Sequence, residues 1–258
     1  MKLFKRIPSL PSAKAHPEFT APFLPDNDFY VIGDIHGCDS LLETLLEKIA
    51  VDTLPYMPQV VCVGDYVDRG ENSADVLRRL HDLYLTYPEN VVCLKGNHEA
   101  MMLSFLDNPE RNAGRWLRNG GLQTLASFGI RGISQNMSVP DLLHLRDQLE
   151  LAMGPDLQAW LEDMPAQWTN GNVSVVHAGA DPEKPMSEQK EKTLIWGHSR
   201  FLKTPRTDGQ WVVHGHIITP EVSADQGRVG VDTGAYATNR LSAAVISADG
   251  LRVLDTTP

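Results

Sequence analysis

Three glycine-bounded motifs hold the residues of this chain best suited to chemistry: Gly33-Asp34-Ile35-His36-Gly37, Gly64-Asp65-Tyr66-Val67-Asp68-Arg69-Gly70 and Gly96-Asn97-His98-Glu99. Aspartate, histidine and asparagine are ligand types that suit hard or borderline divalent cations. A two-metal hydrolytic site needs a carboxylate between the cations and a mixed set of such ligands around them. Asp34 and His36 are one residue apart, so on extended backbone they point to the same side. Asp65 is the natural bridging carboxylate, and Asn97 offers a neutral amide oxygen. Two further histidines follow apolar runs: His177 in Val175-Val176-His177-Ala178-Gly179, and His216 in Val213-His214-Gly215-His216.

The elements that must position these residues are legible in the apolar pattern. The three motifs end the runs 29–32, 60–63 and 91–94, spaced by about 30 residues, the length of a strand–helix–strand unit. Residues 40–50 and 74–85 carry apolar side chains at helical spacing. The alternation predicts an α/β fold with a parallel sheet and right-handed crossovers. Open α/β sheets gather their sites at the carboxyl ends of the strands. Residues 108–165 read differently, with helical stretches at 115–129 and 139–151 broken by glycines. They predict a helical insertion beside the site. The second half is strand-rich at 172–176, 211–213, 229–231, 243–246 and 251–254. The proline-rich start predicts an extended arm over residues 1–25, followed by one catalytic domain over 26–258.

The composition narrows the class. Hydrophobic residues make up 42% of the 258, enough for a full globular core. Lys plus Arg number 23 against 33 Asp plus Glu, a formal charge of −10. Such a surface is a poor partner for nucleic acid or an anionic membrane. Two divalent cations would still add about +4 at one spot, so an anionic substrate has somewhere to bind. No run reaches the ~20 apolar residues of a membrane helix. The basic start lacks the apolar stretch of a signal peptide. The expectation is a cytoplasmic protein with neither a nucleic-acid nor a membrane partner. Cys38, Cys62 and Cys93 form no C-x-x-C pair, which leaves them as packing residues rather than zinc ligands.

Taken together, the motifs resemble those of the phosphoprotein phosphatase family of metallophosphoesterases, the dinuclear serine/threonine phosphatase type. GDxHG, GDxVDRG and GNHE stand in order. His177-Ala178-Gly179, the Val213–His216 stretch and Val231-Asp232-Thr233-Gly234 are similar to the bacterial members. The resemblance implies a central β-sandwich of mixed sheets flanked by helices, with a helical insertion. It implies Asp34, His36 and Asp65 around a first metal, and Asp65, Asn97, His177 and His216 around a second. The metals would be divalent, Mn²⁺ first, with Fe or Zn²⁺ also suited. Ile218 stands where the wider superfamily has another histidine, which fits the phosphatase branch. His98 resembles the general acid, Asp68 its orienting carboxylate, and Arg69 a phosphate clamp, with Asn97 also at the phosphate. The substrate implied is a phosphorylated protein or peptide, with a metal-bridging hydroxide attacking phosphorus directly. Related bacterial enzymes often carry Trp-x-Arg for a second phosphate contact. Aligned on Trp196, that arginine is His198, with Arg200 two residues on. Both are candidates, Arg200 the stronger because guanidinium stays charged and bidentate.

Two other functions compete. Hydrolases of dinucleoside polyphosphates form a related branch, which tends to read GNHD and to lack the Asp-Arg pair; Glu99 and Asp68-Arg69 favour the phosphatase. A non-catalytic phosphate-binding module would have lost ligands or the acid, and none is missing. Glu99 reads as a structural hydrogen-bonding partner. His214 is either close to the phosphate or a core residue. Asn119, Gly120 and Gly121 either border the cleft or break a helix. His16, His81 and His144 read as solvated.

Overall fold

The computed structural model describes residues 18–53, 55–133 and 137–257. Residues 1–17 of the expected arm, including His16, lie outside the described residues. The first half alternates β1 (Phe29–Ile32), α1 (Asp39–Thr53), β2 (Gln59–Cys62), α2 (Ser73–Thr86), β3 (Val91–Cys93) and α3 (Asn97–Asp107). Four further helices follow: α4 (Pro109–Trp116), α5 (Leu122–Ser127), α6 (Val139–Met153) and α7 (Pro155–Glu162). The remainder runs β4 (Gln167–Asn170), β5 (Val173–Val176), α8 (Glu191–Trp196), β6 (Trp211–His214), β7 (Ser223–Asp225), β8 (Arg228–Gly230), α9 (Ala235–Thr238), β9 (Ser242–Ser247) and β10 (Gly250–Asp255).

The strands form two five-stranded sheets, ordered β10-β9-β1-β2-β3 and β4-β5-β6-β8-β7. In the first, β1, β2 and β3 are parallel, and β9 runs antiparallel to β1. In the second, β5, β6 and β8 are parallel, with β4 and β7 antiparallel at the edges. The sheets are therefore mixed, as the resemblance implies.

Strand alternation decides what faces what. Phe29, Val31, Val61 and Val63 meet Val173, Val175, Val213 and Val229 in a β-branched layer between the sheets. The opposite face of the first sheet, with Tyr30, Ile32, Val60 and Cys62, packs on Leu42, Leu45, Leu77, Leu80 and Met102 of the helices. The outer face of the second sheet is covered more thinly, by Leu194, Phe201 and Met186 over Val176 and Val212. Within residues 18–25, Phe23 stacks on Trp211 with ring centroids 4.1 Å apart. The Trp211 indole donates to the Ala21 carbonyl at 3.0 Å.

The glycine break expected within 115–129 is there: α4 stops at Trp116, a wide π-type turn spans Leu117–Gly121, and α5 resumes. Gly120 sits in that turn at φ 111°. His81 is half-buried rather than solvated, its ring 5.1 Å from that of Trp160, because α7 folds back onto α2. The strand β7 has no apolar signature, being exposed along its length and paired only to β8. Among the described residues no helix is long and apolar enough to cross a membrane.

Gly64, just past β2, has no room for a side chain. Its φ is 110°, and a Cβ there would lie 2.6 Å from the Gly96 backbone and 3.0 Å from the His177 ring. The Gly64→Ala change is expected to lower stability by ~3 kcal/mol, combining positive-φ strain with overpacking. A urea melt of the two chains measures it; an unchanged midpoint would contradict the close approach.

Candidate active site

The carboxyl ends of six parallel strands meet along one rim of the sandwich. Asp34 follows β1, Asp65 follows β2, and Asn97 opens α3 after β3. From the other sheet, His177 follows β5, His216 follows β6, and Asp232 follows β8. Asp65 is the centre. His177 Nε2 lies 3.2 Å from its Oδ1, His36 Nε2 lies 3.5 Å from its Oδ2, and His98 Nε2 lies 3.8 Å from Oδ2. Asn97 Oδ1 is 2.9 Å from His177 Nε2. Asp34 joins from β1, its two oxygens accepting the His216 N–H at 3.1 and 3.0 Å. The rim thus brings together all six residues expected to hold metal.

Backbone shape makes this convergence possible. His36, Asp65, Asp68, Arg69 and His216 all have positive φ, a conformation that costs a non-glycine residue about 1–3 kcal/mol. Glu99 holds the second motif in that shape. Its Oε2 accepts from Asp65 N at 2.8 Å and Gly96 N at 2.9 Å. Its Oε1 accepts from Tyr66 N at 2.8 Å and Val67 N at 3.2 Å. The α3 N-terminus adds the His98 N–H to Asp65 Oδ1 at 3.0 Å, where the helix dipole favours an anion.

His98 makes a separate pair. Its Nδ1 lies 2.6 Å from Asp68 Oδ2, which leaves Nε2 on the side of Asp65 and 3.2 Å from Arg69 Nη2. The exposed Arg69 guanidinium also lies 4.9 Å from the Tyr236 ring centroid. Asp68 accepts from the Trp116 indole N–H at 3.0 and 3.1 Å and from the Thr124 hydroxyl at 2.7 Å.

Burial and neighbouring charge sort the titratable groups. Burial opposes charge on Asp65, yet His177, His98 and His36 outweigh it and hold the carboxyl well below its usual range. Burial pushes Asp34 well up, and the Asp232 carboxylate adds to that. Burial pulls His36 down to about 3 and His216 to about 4. His177 moves the other way, to about 9, because Asp65 and Asp34 overcome its burial. His98 is also raised: the Asp68 bond and the charges of Asp65 and Asp68 overcome burial.

These residues fit divalent cations. Asp34, Asp65, Glu99 and Asp232 are buried carboxylates beside one another, and unpaired buried charge is costly without countercharge. His36 Nε2 is buried and has no hydrogen-bond partner, although its Nδ1 is 2.8 Å from the Val67 carbonyl. One ring nitrogen fixed by a carbonyl with the other left free is the arrangement of a metal-ligating histidine. The ligand atoms of Asp65, His177 and His216 lie within 4.8 Å of one another, as do those of His36, Asp65 and His98.

The two candidates for a second phosphate contact separate. Arg200 is half-exposed and paired to Glu183, with Asp181 at 3.6 Å. His198 lines an open groove of about 380 Å³ with Trp196, Phe201, Lys203, His216 and Ile217. His214 turns away from the rim, its ring edge-on to Phe201 at 4.9 Å, and burial pulls it down to about 4. Cys38 is half-buried, and burial pushes its thiol up to about 11. Sequence reasoning did not single out Trp116, Thr124, Asp232 or Tyr236 as site residues. A tryptophan inside an amphipathic helix reads as core, and only its indole N–H, which needs a partner when buried, hints at more.

Two mixed sheets with a buried carboxylate–histidine cluster on one rim define a metallophosphoesterase-type scaffold. The calcineurin-like phosphoesterase family model matches residues 28–220, and the chain belongs to that family. It is 29% identical over 228 residues to serine/threonine-protein phosphatase 2 of Escherichia coli (strain K12), covering 83% of this chain and 90% of that protein. It is 31% identical over 156 residues to the symmetrical bis(5'-nucleosyl)-tetraphosphatase of Glaesserella parasuis, covering 60% of this chain but 45% of that one. A solved structure of a diadenosine tetraphosphatase candidate superposes with a TM-score of 0.61 at 23% identity, over 92% of this chain and 98% of that one. That last likeness shows the fold.

Glu99 carries a prediction for the protein as folded. Glu99→Gln turns one buried acceptor into a donor facing backbone N–H groups, so stability should fall by about 1–3 kcal/mol. Urea titration of the two chelator-treated chains measures it, and equal midpoints would remove Glu99 from its supporting role.

Proposed function

We propose that this chain is a metal-dependent phosphomonoesterase acting on phosphoserine or phosphothreonine proteins and peptides. The observation that carries the reading is one rim holding both an Asp65-centred ligand cluster and a separate His98–Asp68 pair beside Arg69. Asp34, His36 and Asp65 would hold one cation, and Asp65, Asn97, His177 and His216 the other. Bound there, two divalent cations supply positive charge for phosphate oxygens and make water acidic enough to act as a nucleophile. The mixed oxygen and nitrogen ligands suit Mn²⁺ first, with Fe or Zn²⁺ as alternatives. Three free thiols are in keeping with a reducing, cytoplasmic setting.

The chain's own groups do the rest. Arg69 presents a planar fork to phosphate oxygens, and the Asn97 amide, beside His177, would add a contact of its own. Asp68 fixes the His98 ring through Nδ1, so the transferable proton sits on Nε2. Against burial, the Asp68 bond and the Asp65 and Asp68 charges raise the pKa of His98, which favours holding that proton for a departing alkoxide. For a second phosphate contact, His198 shares a groove with His216 and lies 3.9 Å from Asp181, while Arg200 pairs with Glu183 and Asp181.

A second reading, hydrolysis of dinucleoside polyphosphates, is favoured by the likeness to the symmetrical tetraphosphatase over 60% of the chain. A panel of phosphoserine peptide, diadenosine tetraphosphate and aryl phosphate, run with defined metals, separates the two. The phosphopeptide should be the best substrate, and a strong preference for the dinucleotide would overturn the assignment. His98→Asn should lower phosphopeptide kcat by about 10²–10⁴-fold with metal content unchanged. Asp65→Asn should strip both metals, read by elemental analysis; full retention would remove Asp65 from the bridging position.

A further inference from the structure

The Trp116–Gly121 stretch, WLRNGG, sits in the helical segment and contributes nothing to the ligand cluster, yet it converges on the acid pair. Trp116 is fully buried, its ring 4.9 Å from Phe105. Its indole N–H is shared between both Asp68 oxygens, at 3.0 and 3.1 Å. Thr124 closes the other side, accepting the Asp68 N–H at 2.8 Å and donating its hydroxyl to Asp68 Oδ1 at 2.7 Å. Ser73 Oγ accepts the same N–H at 3.1 Å. The turn between Trp116 and Thr124 is pressed against the acid motif. A Cβ on Gly120 would lie 2.5 Å from Arg69 N and 2.9 Å from Asp68 Cβ, and one on Gly121 would lie 2.7 Å from the Trp116 ring.

We infer that Trp116 and Thr124 are positioning residues for general-acid catalysis, with the helical segment as the frame that holds Asp68, and through it His98, in register with the rim. Three donors meet on one carboxylate: the indole N–H, the Thr124 hydroxyl and His98 Nδ1. The first two leave Asp68 a single orientation in which Oδ2 faces His98. Without them the carboxylate gains rotational freedom, and His98 loses the contact that directs Nε2 toward the leaving group. Both residues are fully buried behind Asp68, so their loss acts chiefly on the step in which a proton is delivered. The inference rests on the phosphomonoesterase reading above.

Leaving-group dependence isolates that step. An alkoxide from phosphoserine needs a proton, whereas para-nitrophenolate leaves largely without one. Trp116→Phe keeps the ring and removes the N–H; Thr124→Val keeps the shape and removes the hydroxyl. Each should lower kcat on a phosphoserine peptide by about 10–100-fold, the scale of a misplaced acid. On para-nitrophenyl phosphate each should change kcat by less than about threefold, because little general-acid assistance is at stake there. Thr124→Ser keeps the hydroxyl and should restore wild-type behaviour on both substrates. Metal content, measured on the same preparations, should stay at the wild-type value. Equal losses on the two substrates, or an unchanged phosphopeptide rate, would overturn the positioning role. A wild-type chain that turns over neither ester would overturn the phosphomonoesterase reading, and this inference with it.

Discussion

A desolvated carboxylate is the constraint on which the rest of this structure depends. Asp65 is 1% exposed, and taking a carboxylate out of water costs several kcal/mol even after relaxation. The fold offsets that cost from several directions: the His98 N–H at the α3 N-terminus, the His177 and His36 rings, and the partial charge of the helix. Glu99 lies immediately behind as a second buried acid, and the two are kept in place by the backbone N–H groups between them. The second motif is bent sharply because three of its successive N–H groups must reach the Glu99 carboxylate. Glycine at 64 and 96 follows from the same demand, since the two loops that carry Asp65 and Asn97 touch backbone to backbone.

Strain of this kind persists only where the surroundings over-determine it. The surroundings here are the sandwich. Three strand ends come from each sheet, and no single sheet supplies both Asp65 and His177. The β-branched layer between them, Val61 and Val63 against Val175 and Val213, therefore sets the spacing of Asp65 and His177, more than a hundred positions apart in the chain. The return of β9 alongside β1 locks the first sheet from its other side and follows directly from the loop that carries Asp232.

What the sequence made legible tracks how local each feature is. Asp34, Asp65 and Asn97 could be placed because a motif that follows an apolar run sits at a strand end, whatever the rest of the chain does. The wide turn at Leu117–Gly121 was visible only as two glycines, because the reason for them is the approach of Gly120 to Asp68 and Arg69, some fifty positions away. Spacing from Trp196 pointed to His198, and Arg200 read as the stronger phosphate ligand only for the chemistry of its guanidinium. Its pairing with Glu183 and Asp181 belongs to a neighbouring loop, and no local pattern announces it. His81 read as solvated for the same reason, since Trp160 arrives from α7. Tyr236 was hidden by ordinary context, an exposed tyrosine in a four-residue helix, while Asp232 stood in a family-like motif but carried no role there.

The histidines show how one rim keeps two kinds of chemistry apart. Burial lowers every imidazole here, and it prevails at His36 and His216, whose lone pairs stay free for coordination. At His98 the Asp68 carboxylate reverses the sign, and the ring keeps its proton. His177 looks like an exception, because it too is raised, to about 9, although its position is that of a ligand. Its surroundings resolve this. Nδ1 lies 3.0 Å from the Val63 carbonyl, so Nε2 is the atom facing Asp65 Oδ1 and Asn97 Oδ1. A second proton on the ring sits among those oxygens because they need positive charge, and a divalent cation satisfies the same need more fully. A cation held by His177, as proposed above, would take the place of that proton, and its binding would release it. His98 differs in that a direct bond to Asp68, on top of the Asp65 charge, holds its proton.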